Sequence, residues 1–181
     1  MTQEQNPGLL GWLKRRQASP APASPALAPD TVLVAFASQT GLGESIAWRT
    51  AEALRVGGKA VRLVSFAEIE PQDLTQVNHA LFIASSTGSG DAPDSARAFT
   101  RKMRGAPPNL SHLRYRLLAL GDRSYENFCA YGDRVGHWLR AAGAQAVAPT
   151  IHVDNGDIAA IERWRAGTEA FGAAAAPAAW A

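Results

Sequence analysis

Apolar positions in this chain come in short blocks separated by polar, glycine-bearing loops, and the blocks alternate in period. Residues 31–37, TVLVAFA, are almost continuously apolar, as a strand covered on both faces must be. A helical period follows over about 43–56. Ile46, Thr50, Ala53 and Leu54 share one face, Glu44, Arg49, Glu52 and Arg55 the other, and Gly57 and Gly58 close it. Residues 59–65, KAVRLVS, alternate more regularly, which predicts a strand at the sheet edge. Residues 79–85 and 115–120 read as third and fourth strands, and 144–151, AQAVAPTI, as a short fifth. Asp94 is placed to cap a helix running to about Arg104, with Ser95, Phe99 and Met103 four apart. Tyr131, Val135, Trp138, Leu139 and Ala142 form the strongest helical stripe, and Ile158, Ile161, Trp164, Thr168 and Phe171 line a last helix. Strands alternating with helices predict an α/β fold: one parallel sheet, doubly wound, with right-handed crossovers.

The ends lack this pattern. Residues 17–30, QASPAPASPALAPD, predict an extended Pro/Ala/Ser linker. Residues 8–16, GLLGWLKRR, place their charges after the apolar run, opposite to a signal peptide. They read as a disordered tail, with a short surface anchor through Leu9, Leu10, Trp12 and Leu13 as the alternative. The expected organisation is a tail and linker over 1–30, a folded domain over 31–172, and a tail or linker over 173–181. No run reaches the roughly 18 apolar residues of a membrane span.

Composition adds little beyond this frame. The 181 residues carry a net charge of +2, and Lys14, Arg15 and Arg16 lie ahead of the domain, leaving the domain close to neutral. A nucleic-acid partner is not indicated. One cysteine, Cys129, excludes an internal disulfide and fits a reducing, cytoplasmic setting. His79, His112, His137 and His152 show no metal-ligand spacing with one another or with Cys129.

The candidate chemistry lies in three loops, each just beyond an apolar strand. Ligands of doubly wound sheets bind at such carboxyl ends. The first, SQTGLGES over 38–45, lets backbone approach an anion at Gly41 and Gly43 and adds hydroxyls at the start of a helix. No Lys follows Gly43, so it is not a triphosphate-binding P-loop, and Ile46 stands where a dinucleotide fingerprint needs its third glycine. The second, SSTGSGD over 85–91, is small enough for a flat ring to press on its backbone. The third, GDRSYENFC over 121–129, offers Tyr125 as a stacking platform.

At these loops the chain resembles the flavodoxin-like superfamily, and within it the FMN domains of diflavin reductases of the sulfite reductase flavoprotein and NADPH–cytochrome reductase type. The resemblance runs from about Thr31 to Phe171 and includes VDNGDIAAIERW over 153–164. It implies a five-stranded sheet of order 2-1-3-4-5 and FMN as cofactor. Ser38, Gln39, Thr40, Gly41, Leu42 and Gly43 would hold the phosphate. Ser85, Ser86, Thr87, Gly88 and Gly90 would touch the ring. Leu120, Gly121, Tyr125, Phe128 and Cys129 would form the other wall, with Asp154 nearby. Many relatives carry an aromatic residue at the place of Thr87, so one ring face would lack a stacking partner here. The implied function is electron transfer: electrons from an NAD(P)H-dependent flavin reductase, passed singly to a heme or iron–sulfur protein. One alternative is the front domain of an NADPH-dependent sulfite or hemoprotein reductase. Another is a flavin-free interaction module. A phospho-accepting receiver is disfavoured, because Ser38 and Ser85 stand where its acidic residues belong.

Overall fold

Each central strand carries apolar side chains on both faces, and that dictates the layering seen in the computed structural model, which describes residues 30–173. Strand β1 (Val32–Ala37) sends Leu33, Ala35 and Ala37 to one face and Val32 and Val34 to the other. Strands β3 (His79–Ser85) and β4 (Arg114–Gly121) divide in the same way. On one face Phe82 and Leu117 pack with Phe99, Val135 and Leu139. On the other, Leu81, Ile83 and Leu118 pack with Ile46, Ala47, Leu54 and Trp164. Burying each large side chain contributes about 1.5–3 kcal/mol.

The helices are α1 (Leu42–Val56), α2 (Arg97–Lys102), α3 (Ala130–Ala141) and α4 (Ile158–Ala173). Helices α1 and α4 cover one face, α2 and α3 the other. Strand β2 (Val61–Ser65) pairs only with β1 and forms one edge. All pairings are parallel, in the order β2-β1-β3-β4 and then the fifth strand position. Ala37 pairs Ala84, Ser85 pairs Leu120, and Gly121 pairs Asp154. The carboxyl ends of the strands are therefore level, and the loops leaving them share one rim.

Several expectations need correction. The fifth strand is not continuous over 144–151. It is split into β5 (Gln145–Ala146), opposite Arg114 and Tyr115, and β6 (Ile151–Asp154), opposite Leu118 to Gly121. The intervening VAPT contains Pro149, which has no N–H for the ladder. Asp94 makes no capping bond. It begins a 3₁₀ turn, Asp94–Ala96, and pairs with Arg97 at 2.9 Å. Helix α2 then ends at Lys102 rather than Arg104. On α1, Ala53 is exposed, while Ala47 and Ala51 complete the buried face. Ile158 is 75% exposed, because it lies in the first turn of α4, beyond the sheet. A 3₁₀ segment, Pro71–Gln76, buries Leu74 and had no periodic signal. The tail and linker over 1–29 and the tail over 174–181 lie outside the described residues. Among the described residues no helix is long and apolar enough to cross a membrane.

Helix α3 lies unusually close to β4. A Cβ added at Gly132 would collide with Ala119 Cβ and reach 3.1 Å from its Cα. Backbone cannot swing away as a flexible side chain could. The variant Gly132→Ala is expected to lose about 1–3 kcal/mol. Urea unfolding checks this, and an unchanged midpoint would contradict the close approach.

Candidate functional site

The first loop turns on a short-range bond, Gly41 N–H to Ser38 Oγ at 3.1 Å. Gly41 sits at φ +89° and opens α1 with no side-chain cap. The first intrahelical bond runs from Ser45 N–H to Gly41 O, 2.9 Å. The amides of Leu42, Gly43 and Glu44 thus lack intrahelical acceptors, and a helix of 15 residues presents its positive end beside them. Gly43 is buried: a Cβ there would come to 3.0 Å from Ser85 Oγ and 3.3 Å from Ala37 O and Leu120 Cδ1.

The second loop closes on itself and is tied to the third. Thr87 and Asp91 exchange two backbone bonds of 2.9 and 2.8 Å. Gly88 and Gly90 adopt φ +47° and +88°, where other L-residues are strained. The Asn127 amide donates to Ser89 O at 3.0 Å, Tyr131 N–H to Ser86 Oγ at 3.1 Å, and Arg134 to Gly90 O at 2.9 Å.

The third loop is an Asx turn. Asp122 Oδ1 accepts from the N–H and hydroxyl of Ser124, at 2.8 and 2.6 Å, and these bonds hold its carboxyl below the usual carboxylate range. Gly121 leaves no room for a side chain, since a Cβ would lie 2.7 Å from Cys129 N and 2.9 Å from Cys129 Sγ. Cys129 itself sits at φ +57°, and its thiol lies 3.3 Å from Ala119 O. Burial pushes that thiol up to about 12.

Between these loops lies a groove of about 250 Å³. Of the residues expected at a site, Thr40, Leu42, Ser85, Ser86, Gly88, Leu120, Gly121, Tyr125 and Cys129 line it. Tyr125 is 53% exposed, so its ring is open to a ligand in the groove. The other expected residues are not among those lining it, though Ser38, Gly41, Gly43 and Asp154 adjoin it. Ser38, Gly41 and Gly43 shape the first loop without lining the groove, Gly41 exposed and Gly43 buried. Gln39 points outward, its Oε1 3.4 Å from Asp94 N. Gly90 is buried against Asn127 and Ala130. Thr87 borders a separate, larger cleft. Phe128 does not reach the groove: Arg123 stacks over it at 4.7 Å, and the His152 ring lies 6.1 Å away. Asp154 Oδ1 accepts from Arg123 N–H at 2.9 Å, so it holds the third loop rather than lining the cavity. Asp122, Asn127, Asn155 and Gly156 also line the groove and were not expected there. The Asn155-Gly156 pair carried a readable signal, since Asn-Gly after a strand marks a turn; Asn155 and Gly156 adopt φ +44° and +78°.

The donor set fits a phosphate ester with a flat ring attached. Free amides and the hydroxyls of Thr40, Ser85 and Ser86 can receive an anion, and no Lys or Arg lines the groove. The walls at Gly88 and Gly121 are backbone, and Tyr125 offers a π face.

The shifted thiol has two measurable consequences. Native Cys129 should resist disulfide reagents near about pH 8 and react once unfolded. Above pH 9.0, the ordinary thiol value, an unfolded chain loses the thiol proton while the folded chain keeps it to about 12. Stability should therefore fall as pH rises through that window. Equal reactivity in native and unfolded protein would contradict the buried placement.

The geometry agrees with three comparisons. The flavodoxin family model matches residues 34–165. The sulfite reductase [NADPH] flavoprotein alpha-component of Shewanella sp. (strain MR-7) is 40% identical over 149 residues, 81% of this chain and 24% of that protein. The alpha-component of Bacillus subtilis (strain 168) is 32% identical over 98% of this chain and 32% of its own length. This chain thus spans about a quarter to a third of those relatives. A flavodoxin of Streptococcus pneumoniae TIGR4 superimposes with a TM-score of 0.70 at 27% identity, over 80% of this chain and 99% of its own. With the sheet order, the rim of loops and these matches together, the chain belongs to the flavodoxin family.

Proposed function

We propose that this chain binds FMN in the groove and works as an electron-transfer module. The observation that carries the reading is the convergence, at one groove, of the α1 amino terminus at Leu42, the hydroxyl-bearing residues Thr40, Ser85 and Ser86, and the exposed ring of Tyr125. When bound, FMN supplies one- and two-electron redox chemistry. The protein's part is to hold, orient and shield. The α1 amino terminus and Thr40 would hold the phosphate. Tyr125 would stack on the ring, and the Gly88 and Gly121 backbones would border it. Gly88, at φ +47°, would present its peptide to the ring edge without a side chain in the way. Cys129 contributes a neutral, buried thiol and no nucleophile.

The proposed donor is an NAD(P)H-dependent flavin reductase, and the proposed acceptor a heme or iron–sulfur protein. A second reading is favoured by the relatives' length. The chain matches 24% of the Shewanella protein, so it would then serve as the FMN-bearing front of an NADPH-dependent sulfite reductase flavoprotein. Both readings use the same groove in the same way.

Purified protein mixed with FMN and desalted should keep the visible absorption of an oxidised flavin. Tyr125→Ala should weaken FMN by about 1–3 kcal/mol, the scale of base–aromatic stacking, with folding unchanged because the ring is exposed. Loss of all flavin on desalting and no fluorescence quenching would leave a flavin-free interaction module as the reading. Unchanged affinity in Tyr125→Ala would remove the stacking role.

A further inference from the structure

Beside the groove the structure holds a second, larger cleft of about 930 Å³ between α2 and α3. It exists because α2 spans only Arg97–Lys102. The chain turns away at Gly105, and α2 meets the second half of α3 through Phe99, whose ring lies 5.6 Å from that of Trp138. The volume is within the range of small-molecule sites.

Its chemistry is one-sided. Arg97 and Arg104 stand on one wall and Arg134 and His137 on the other, against the single carboxylate of Asp91. Arg97 is paired with Asp94 at 2.9 Å, so Arg104 and Arg134 supply the cleft's excess positive charge. Cations gathered in a cleft with apolar walls focus a positive potential there. The apolar part comes from Met103 and Trp138. Trp138 is 6% exposed, and its indole N–H is buried with no partner among the described residues.

We infer that this cleft is a second binding site, for a small organic anion: a flat apolar body over Met103 and Trp138 carrying a carboxylate, sulfonate or phosphate to Arg104 and Arg134. The site touches the flavin groove through the second loop. Gly88 borders both cavities, and Arg134 holds the Gly90 carbonyl at 2.9 Å. An anion that engages Arg134 changes the restraint on that loop, so its binding shifts FMN affinity, and FMN shifts the anion's affinity by the same factor. This coupling rests on the FMN reading; the cleft itself does not.

The test is calorimetry of the full, flavin-stripped chain with naphthalene-2-sulfonate. Saturable one-to-one binding is expected, weakened about tenfold or more in Arg104→Gln and in Arg134→Gln, the loss of one charge-assisted bond. Arg104 is exposed, so its variant keeps the fold and the test remains decisive if Arg134→Gln does not fold. Naphthalene-2-sulfonamide, without the charge, should bind at least as weakly as the probe binds to these variants. No saturation up to about 1 mM, or full affinity in Arg104→Gln, would overturn the site. So would simple displacement by FMN with both arginine variants unaffected, which puts the probe in the flavin groove. Probe binding in a chain that binds no FMN would uphold the cleft while the flavin reading falls.

Discussion

The level ends of the parallel strands are the constraint on which everything else rests. Ala37, Ser85, Gly121 and Asp154 finish in register, and each hands the chain to a loop on the same rim. That register is set by the cores on either face. A slip of one residue would send Leu33, Phe82 and Leu117 to the face now occupied by Val34, Leu81 and Leu118. The rim is therefore as firm as two buried layers can make it, although the loops on it are short and polar.

On that rim, rigidity comes from hydrogen bonds that tie one loop or strand end to the next, through both backbone and side chains. Ser86 N–H donates to Leu120 O at 2.8 Å, and Asn155 N–H to Gly121 O at 2.9 Å. Ser95 Oγ bonds Ser38 O at 3.2 Å, and His152 meets Asp133 at 2.8 Å. Glycines allow the loops to come this close. Gly43, Gly90 and Gly121 each have neighbours where a Cβ would stand. Gly88 does not: a Cβ there would meet nothing within 4 Å, so its glycine answers to its positive φ and leaves open space. The arrangement is preorganised for a ligand that is held by amides and hydroxyls, with little side-chain reordering on binding.

Much of this was legible in the chain itself. Residues 79–85 formed the strand their apolar run implied, and Tyr131, Val135, Trp138, Leu139 and Ala142 are all buried, because their periods reflect local burial directly. The three loops were legible because glycine and hydroxyl residues cluster immediately after strands. What escaped depends on partners distant in sequence. Phe128 is drawn away from the groove by Arg123 and His152, and Thr87 faces the other cleft. Asn127 enters the groove through the packing of the second loop on the third. The break in the fifth strand turns on Pro149 and on register with β4, and apolar periodicity carries neither. Helix α2 is shorter than its stripe implied, and only the structure shows the cleft that this shortness opens.

The central claim is that the amino terminus of α1 and the hydroxyls beside it recognise a phosphate, with the ring held separately by Tyr125 and backbone. The most direct measurement compares FMN with riboflavin, which has the same ring and no phosphate, by quenching of flavin fluorescence on titration with the full chain. The account predicts that FMN binds at least about tenfold more tightly, since each charge-assisted bond contributes about 1.5–3 kcal/mol. Equal affinities would contradict the phosphate cradle, and with it the role assigned to the first loop.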